Sequence, residues 1–497
     1  MKAKSKRIRE FFEITKIAKK FDKASGKFNI SIRYKTATAV TSRTLAVAEA
    51  FGIGVDEHRN HVLYDNVQLK IGPKDIVYLT GDSGSGKSVL LKRLERLLAP
   101  QAVNIKDVKV DRNQPLIDTL GKTLGEGLEL LSRVGLNDAF LFVRRYGQLS
   151  DGQKYRYRIA KLIETNRQYW MMDEFCATLD RDTAKILAFN VQRLARQEGK
   201  AVIAATTHED LFEDLRPSVF IRKRLGREVE VQYFPNEINE VCSITRQIRL
   251  EEGSIEDYHR LAQFHYREAG GLPPPRRVFA LRRVDEVIGV IVYSFSPIVC
   301  FGRKQAFQKK LTVQELNSQF SIISRVVLHP KYRTIGLGAK LVKETLPLAG
   351  TPYIEAVAVM ARYNPFFERA GMKKIVEQVP DQSCLEAVEK LRQLGFNPVL
   401  LASERHNLQR LKEMSPEEVK RCKKILAEVR SPRLRRAAVA ERPYSSAEQY
   451  YSALEKTGVE KMARILRVLS ILMQTKVYLL WKNLSVLQRV NCGDSFF

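Results

Sequence analysis

The sequence predicts an α/β protein of more than one domain, and three observations carry that prediction. Short apolar runs of buried-strand length ("DIVYLT", "QYWMMDE", "AVIAATTH") alternate with helical stretches between about 46 and 235. This is the pattern of a mostly parallel sheet flanked by helices. One of those runs leads directly into "GDSGSGKS" at 81–88 and the helical "SVLLKRLERLL". A second glycine turn, "RTIGLG" at 333–338, also lies between an apolar strand and an apolar helix. Glycines so placed let the backbone approach an anion closely at a helix N-terminus.

In order along the chain, residues 1–45 read as a basic lead-in that mixes a helical stretch with the strand-like "KFNISIRYKTATAV". Residues 46–235 form the first α/β domain, and "VFIRKRLGREVEVQYF" at 219–234 reads as a hairpin closed by Leu-Gly. A boundary at 235–243 precedes a second α/β segment, 244–376, in which "SIEDYHRLAQFHYREAG" is helical and "RVFALRRVDEVIGVIVYSFS" is a two-strand meander. The remainder, 377–497, reads as a helical, charged C-terminal region. Its apolar stripe at Ile465, Leu466, Leu469 and Leu472 is read as packed core.

The chain of 497 residues is long enough for two to four domains. Its 84 Lys+Arg against 56 Asp+Glu give a net charge of +28. Such an excess favours polyanions, with RNA or a ribonucleoprotein the expected partner; a solvated basic surface is the plainer alternative. Six scattered cysteines form no CxxC or Cys/His cluster, which points away from a zinc site or disulfide framework and towards a reducing cytoplasm. No apolar run reaches the roughly 20 residues that a membrane span needs, so a soluble chain without membrane insertion is expected.

"GDSGSGKS" fits G-x-x-x-x-G-K-[ST] in its required strand–loop–helix context. Gly81, Asp82, Ser83, Gly84, Ser85 and Gly86 would offer amides to phosphates, Lys87 would reach the β/γ-phosphates of ATP, and Ser88 would ligate Mg²⁺. Downstream, "YWMMDEF" puts Asp173 and Glu174 at the end of an apolar strand, Asp173 to hold Mg²⁺ and Glu174 to polarise the attacking water. "LSDGQ" (Leu149, Ser150, Asp151, Gly152, Gln153) opens a helix, "ATLD" ends at Asp180, and His208 closes "AVIAATTH". In this order the set resembles the nucleotide-binding domain of the ABC ATPase family, with Asp151 in place of the signature's first glycine. The resemblance implies an ABC-type P-loop fold, a D-loop at Asp180, a switch histidine at His208 and a Q-loop glutamine at Gln114. That glutamine would serve both ATP and Mg²⁺. It also implies a homodimer in which the signature of one subunit closes over the partner's ATP. Tyr64 and Phe51 are the aromatic candidates for stacking on adenine. Only 61 residues separate Lys87 from Leu149, which favours a non-transport switch over an exporter half.

The second loop, "VVLHPKYRTIGLGAKLVKETL", fits R-x-x-G-x-G after a V-x-H-P turn and resembles the GNAT acetyltransferase family. That resemblance implies a GNAT-like α/β domain binding acetyl-CoA. Its diphosphate would lie on Arg333, Thr334, Ile335, Gly336, Leu337 and Gly338, its pantetheine along Val326, Val327 and Leu328, with Asn364 nearby. Glu355 is the candidate base. The family's acid tyrosine is replaced by Phe367, with Tyr363 one turn earlier. Three functions follow as expectations. The first is an ATPase coupled to acetylation of an amine on a macromolecule. The second is an ATP-driven switch that senses acyl-CoA without transfer, and the third is the ATPase subunit of a transporter with a separate membrane partner.

Overall fold

The computed structural model describes residues 12–22, 26–36, 40–52, 60–265, 272–308, 311–359, 361, 364–431, 434–435 and 447–484. Two compact units emerge. One comprises Met1–Gly271, Val278–Ile291 and Val326–Leu341; the other comprises Leu272–Arg277, Val292–Arg325 and Val342–Phe497.

In the first unit, strands β1 (Phe12–Asp22), β2 (Lys27–Thr36) and β3 (Asn60–Lys70) form an antiparallel sheet. Phe12–Asp22 and Lys27–Thr36, within the expected lead-in, thus share a sheet with Asn60–Lys70 of the first α/β domain. Phe28, Ile30 and Ile32 of β2 join Tyr64 and Leu69 of β3 in one buried cluster with Val77 and Leu79. A six-stranded sheet follows, built from β4 (Ile76–Gly81), β5 (Ala102–Asn104), β6 (Tyr169–Met172), β7 (Ala201–Ala205), β8 (Val219–Lys223) and β9 (Val229–Tyr233), in the order β5-β6-β7-β4-β8-β9. All neighbours are parallel except the predicted β8–β9 hairpin. Strands β4, β6 and β7 are buried along their whole length. They are apolar runs without polar alternation because both faces of a parallel sheet are covered. The Lys87–Leu98 helix buries Leu90, Leu91 and Leu94, the stripe that a helical period places on one side. The parallel strands end on one side of the sheet, where ligands of open α/β sheets gather. Also in this unit, β10 (Ile248–Glu252) pairs antiparallel with the end of β11 (Pro275–Arg283).

The chain continues through β12 (Glu286–Phe295) and β13 (Phe320–Leu328). In the second unit, Phe320–Ile322 of β13 runs parallel to Tyr353–Glu355 of β14 (Tyr353–Ala358). Next comes β15 (Lys373–Gln378), and the last strand, β16 (Lys476–Lys482), lies between β14 and β15, antiparallel to both. The C-terminal region thus differs from the expected helical tail. Val477–Leu480 are buried in the sheet and cover edges that β14 and β15 would otherwise leave unpaired. The helices Gln382–Gln393, Glu404–Glu413, Pro416–Glu428, Ala447–Glu455 and Val459–Leu472 enclose a separate core. Leu391, Leu411, Leu426, Tyr450, Leu466 and Leu469 fill it, with Leu472 partly buried at its edge.

Candidate nucleotide site

The phosphate loop follows β4, and its shape depends on three left-handed glycines: Gly81 (φ 128°), Gly84 (74°) and Gly86 (99°). Side chains other than hydrogen are strained there. A Cβ on Gly81 would stand 1.9 Å from the Lys223 carbonyl oxygen, its neighbour in the β4–β8 ladder. Tyr64 supports the loop from beneath: it is fully buried and its hydroxyl donates to the Gly86 carbonyl at 3.0 Å. That burial removes Tyr64 from contact with a base; Phe51 is exposed. The Asp82 carboxylate accepts the Leu225 amide at 3.1 Å.

Lys87 curls back over the loop and donates to the carbonyls of Gly81 (2.8 Å) and Asp82 (2.5 Å). Burial pulls its pKa below the ordinary lysine value, opposed by the charges of Asp82 and Asp173. Ser85 carries a buried hydroxyl with no hydrogen-bond partner among the described residues, the sort of orphan that a bound polar group would satisfy. Ser88 donates its hydroxyl to Asp173 Oδ1 at 3.0 Å. Two hard oxygen donors from opposite walls are thereby brought together, a donor set that suits Mg²⁺.

Glu174 is exposed and held at φ 53°, with its amide donating to Asp173 Oδ1 at 3.1 Å. A left-handed glutamate is unusual and marks a place where the surroundings dictate the backbone. His208 is fixed through its carbonyl, which accepts from Tyr78 (2.5 Å) and Thr80 (2.8 Å). Its Nε2 is buried without a partner among the described residues. Burial and the nearby Arg181 lower its pKa, against a hydrogen bond to Ala177, so the ring is neutral at pH 7.

The "LSDGQ" segment caps the Asp151–Glu164 helix: Ser150 Oγ accepts from the Gln153 amide and Gln153 Oε1 accepts from the Ser150 amide. Asp151 is exposed and pairs with Lys154 at 3.1 Å, Leu149 is buried, and Gly152 faces Leu179. Asp180 caps the Arg181–Gln197 helix, accepting from the Thr183 amide (3.2 Å) and hydroxyl (2.6 Å), and also pairs with Lys331 at 2.7 Å. Partial burial works against the charge, but the bonds from Lys331 and Thr183 prevail and hold its pKa at about 2.

Gln114 departs from expectation. It lies exposed in a turn where Asp111 accepts its amide, in an open recess with Lys109, Arg112 and Lys161. The residue brought to the carboxylate is instead Lys106, whose ammonium lies 3.0 Å from Asp173 Oδ2. No motif flagged it, because only the pairing of β5 with β6 places it there.

At the second glycine loop, Val327, Ile335 and Leu337 are buried, while Val326, Leu328, Arg333, Thr334 and Gly338 are half-buried. The Arg333 guanidinium is spent on the carbonyls of Leu328 (3.1 Å), Phe264 (3.2 Å) and Asn137 (3.4 Å). Thr334 adopts φ 77°, and its hydroxyl accepts from Asn190 at 2.6 Å. Gly336 (φ 84°) is exposed, and a Cβ there would meet nothing within 4 Å, so the approach to the Leu337–Thr345 helix is open.

In the other unit Glu355 is overturned as a base. It is 0% exposed; Arg303 donates to both its oxygens at 2.7 Å, Tyr478 donates to Oε1 at 2.5 Å, and Ser296 donates to Oε2. Four donors occupy the roughly four lone-pair sites of the carboxylate, so none is left to face a substrate. Phe367 is buried against Phe366 in the short Phe366–Arg369 helix, Asn364 is half-buried two residues before it, and Tyr363 lies outside the described residues.

The ABC transporter family profile matches residues 64–125. The cytochrome c biogenesis ATP-binding export protein CcmA of Ruegeria pomeroyi is 31% identical over 169 residues, 30% of this chain and 79% of the relative. The protein of the same name from Brucella abortus is 28% identical over 183 residues, 32% of this chain and 84% of the relative. A solved ATP-binding cassette dimer in a post-hydrolysis state with ADP and Pi has 18% identity and a TM-score of 0.31, over 36% of this chain and 93% of that one. With its phosphate loop, paired carboxylates and helix-capping signature in one unit, the chain belongs to the ABC transporter family through an ATP-binding domain.

Proposed function

We propose that the chain is an ATP-hydrolysing switch whose second glycine loop binds the diphosphate of an acyl-CoA. The Ser88–Asp173 contact carries the first half: it brings a hydroxyl and a carboxylate together at the start of the helix that follows the phosphate loop, whose amides and Lys87 would face the phosphates. Bound Mg²⁺ would neutralise charge on the β- and γ-phosphates. Ser88 and Asp173 would hold it, Gly81–Gly86 would supply amides, Glu174 would orient the attacking water, and the neutral His208 would meet the γ-phosphate through its unpartnered Nε2. Leu149–Gln153 and Asp180 would act across a homodimer on the partner's ATP.

The open Gly336, the left-handed Thr334 and the following helix support the acyl-CoA half. So does the second unit's strand order, a parallel β13–β14 pair with the last strand inserted beside β14. With Glu355 locked and Phe367 apolar, sensing without transfer is the better-supported form. An RNA or ribonucleoprotein partner rests on net charge alone.

A second function is favoured by the relatives' names: the ATP-binding subunit of an export complex with a separate membrane partner. Among the described residues no helix is long and apolar enough to cross a membrane.

The test is ATP hydrolysis with and without acetyl-CoA, for wild type and Glu174→Gln, following labelled acetyl. An acetyl-CoA-sensitive rate abolished by Glu174→Gln, with label remaining on the cofactor, is the expected result. Label on an acceptor would restore transfer. A rate indifferent to acetyl-CoA but raised by a membrane fraction would favour the export subunit.

A further inference from the structure

We propose, on the basis of the nucleotide role above, that Lys106 is a resident counter-cation of the ATP site, which holds Asp173 until Mg²⁺ displaces it and serves metal-free ATP in the metal's stead. Its position is built by the fold. Strand β5 lies parallel to β6, and the Ile105 amide donates to the Met171 carbonyl at 2.9 Å, so the chain leaving β5 passes the end of β6 where Asp173 stands. The Lys106 amide donates to Asn104 Oδ1 at 3.1 Å, and Asn104 Nδ2 donates to Glu95 on the Lys87–Leu98 helix at 3.1 Å. The lysine is thus tied at its backbone to the helix that begins at the phosphate loop.

The Asp173 carboxylate takes two side-chain donors besides the Glu174 amide. Oδ1 takes the Ser88 hydroxyl and Oδ2 takes the Lys106 ammonium, each at 3.0 Å. Asp173 is only 12% exposed, whereas Lys106 is 50% exposed on a flexible four-carbon stem. A divalent ion seated between Ser88 and Asp173 would place two positive charges beside the ammonium, and at such distances like charges are disfavoured. The exposed lysine can leave at little cost, and the nearest new anion would be the phosphate itself. With no metal present, the same ammonium offsets the charge that Asp173 would otherwise turn on ATP. Lysine suits this exchange because its ammonium is a compact point charge that can swing.

The experiment titrates the full chain with a fluorescent ATP analogue, in EDTA and over a Mg²⁺ series, for wild type, Lys106→Gln and Lys106→Arg. Loss of one charge-assisted bond corresponds to about a tenfold change in affinity. Lys106→Gln should therefore bind the metal-free analogue about tenfold more weakly and reach half-saturation at lower Mg²⁺, while Lys106→Arg stays near wild type without metal. Unchanged metal-free affinity and unchanged Mg²⁺ half-saturation in Lys106→Gln would overturn the proposal. Failure of wild type to bind nucleotide under either condition would overturn the nucleotide role and this proposal together. Comparable urea midpoints for the three proteins establish that a difference is not a folding loss.

Discussion

Lys331 pairs with Asp180 at 2.7 Å, which joins the turn before the second glycine loop to the cap of the helix that follows the Asp173–Glu174 pair. The same ammonium lies 3.0 Å from Asp182, which also accepts from Arg283 at 2.5 Å. Asp180 of the proposed nucleotide site and its neighbour Asp182 therefore face Lys331, just before the second glycine loop, and Arg283. Asp180 is more than half exposed, so the bridge is worth little to stability, about 0–1 kcal/mol. Its consequence is coupling: Lys331→Ala should change the urea midpoint only slightly yet abolish any response of ATP hydrolysis to acetyl-CoA. A response as large as that of wild type would separate the two loops functionally.

The pH dependence of that bridge has a definite sign. Asp180 has a folded pKa of about 2 against an ordinary 3.8. A depressed carboxylate contributes stability above the unfolded value and loses it as pH falls toward the folded one. The stability difference between wild type and Lys331→Ala should be flat from pH 8 to 5 and shrink only below about pH 4. A difference that changed across neutral pH would point to another titrating group.

Arg303 and Glu355 make the opposite case, an ion pair with side chains 8% and 0% exposed. Arg303→Ala leaves a fully buried carboxylate without its partner, which should cost about 3–5 kcal/mol. Replacing both residues with apolar side chains of similar volume should recover most of that loss. Chemical denaturation of the single and double variants decides it; equal costs would mean that Tyr478 and Ser296 alone satisfy Glu355.

What the sequence disclosed depended on how local each feature is. The phosphate loop, the Asp173–Glu174 pair and the capped "LSDGQ" helix were legible because each is a contiguous stretch whose residue types fix its own backbone. Lys106 was not, because 67 positions separate it from Asp173 and only strand pairing brings them together. The surroundings of Glu355 are hidden for the same reason: Arg303 and Tyr478, 52 and 123 positions away, decide them. Strand β16 is not legible locally, because "KVYLLWK" follows a long amphipathic helix and its partners β14 and β15 lie far back in the chain.

Two glycine substitutions separate backbone strain from ligand exclusion. Gly81 and Gly336 both adopt positive φ, so alanine at either should cost about 1–2 kcal/mol in conformation alone. Their surroundings differ sharply. A methyl on Gly81 would drive into the Lys223 carbonyl at 1.9 Å, and that carbonyl belongs to a paired strand that cannot retreat without breaking the sheet. Gly81→Ala should therefore lose nucleotide binding together with a large part of its stability. A methyl on Gly336 meets no protein atom within 4 Å, so Gly336→Ala should remain folded and bind ATP as wild type does. It would, however, occupy the space proposed for the CoA diphosphate, and acetyl-CoA affinity should fall by about tenfold or more. Calorimetric titration of Gly336→Ala with ATP and with acetyl-CoA reads both effects in one protein. Undiminished acetyl-CoA binding would remove the ligand from this loop and leave Thr334 and Gly336 as a strained turn that serves only to start the helix.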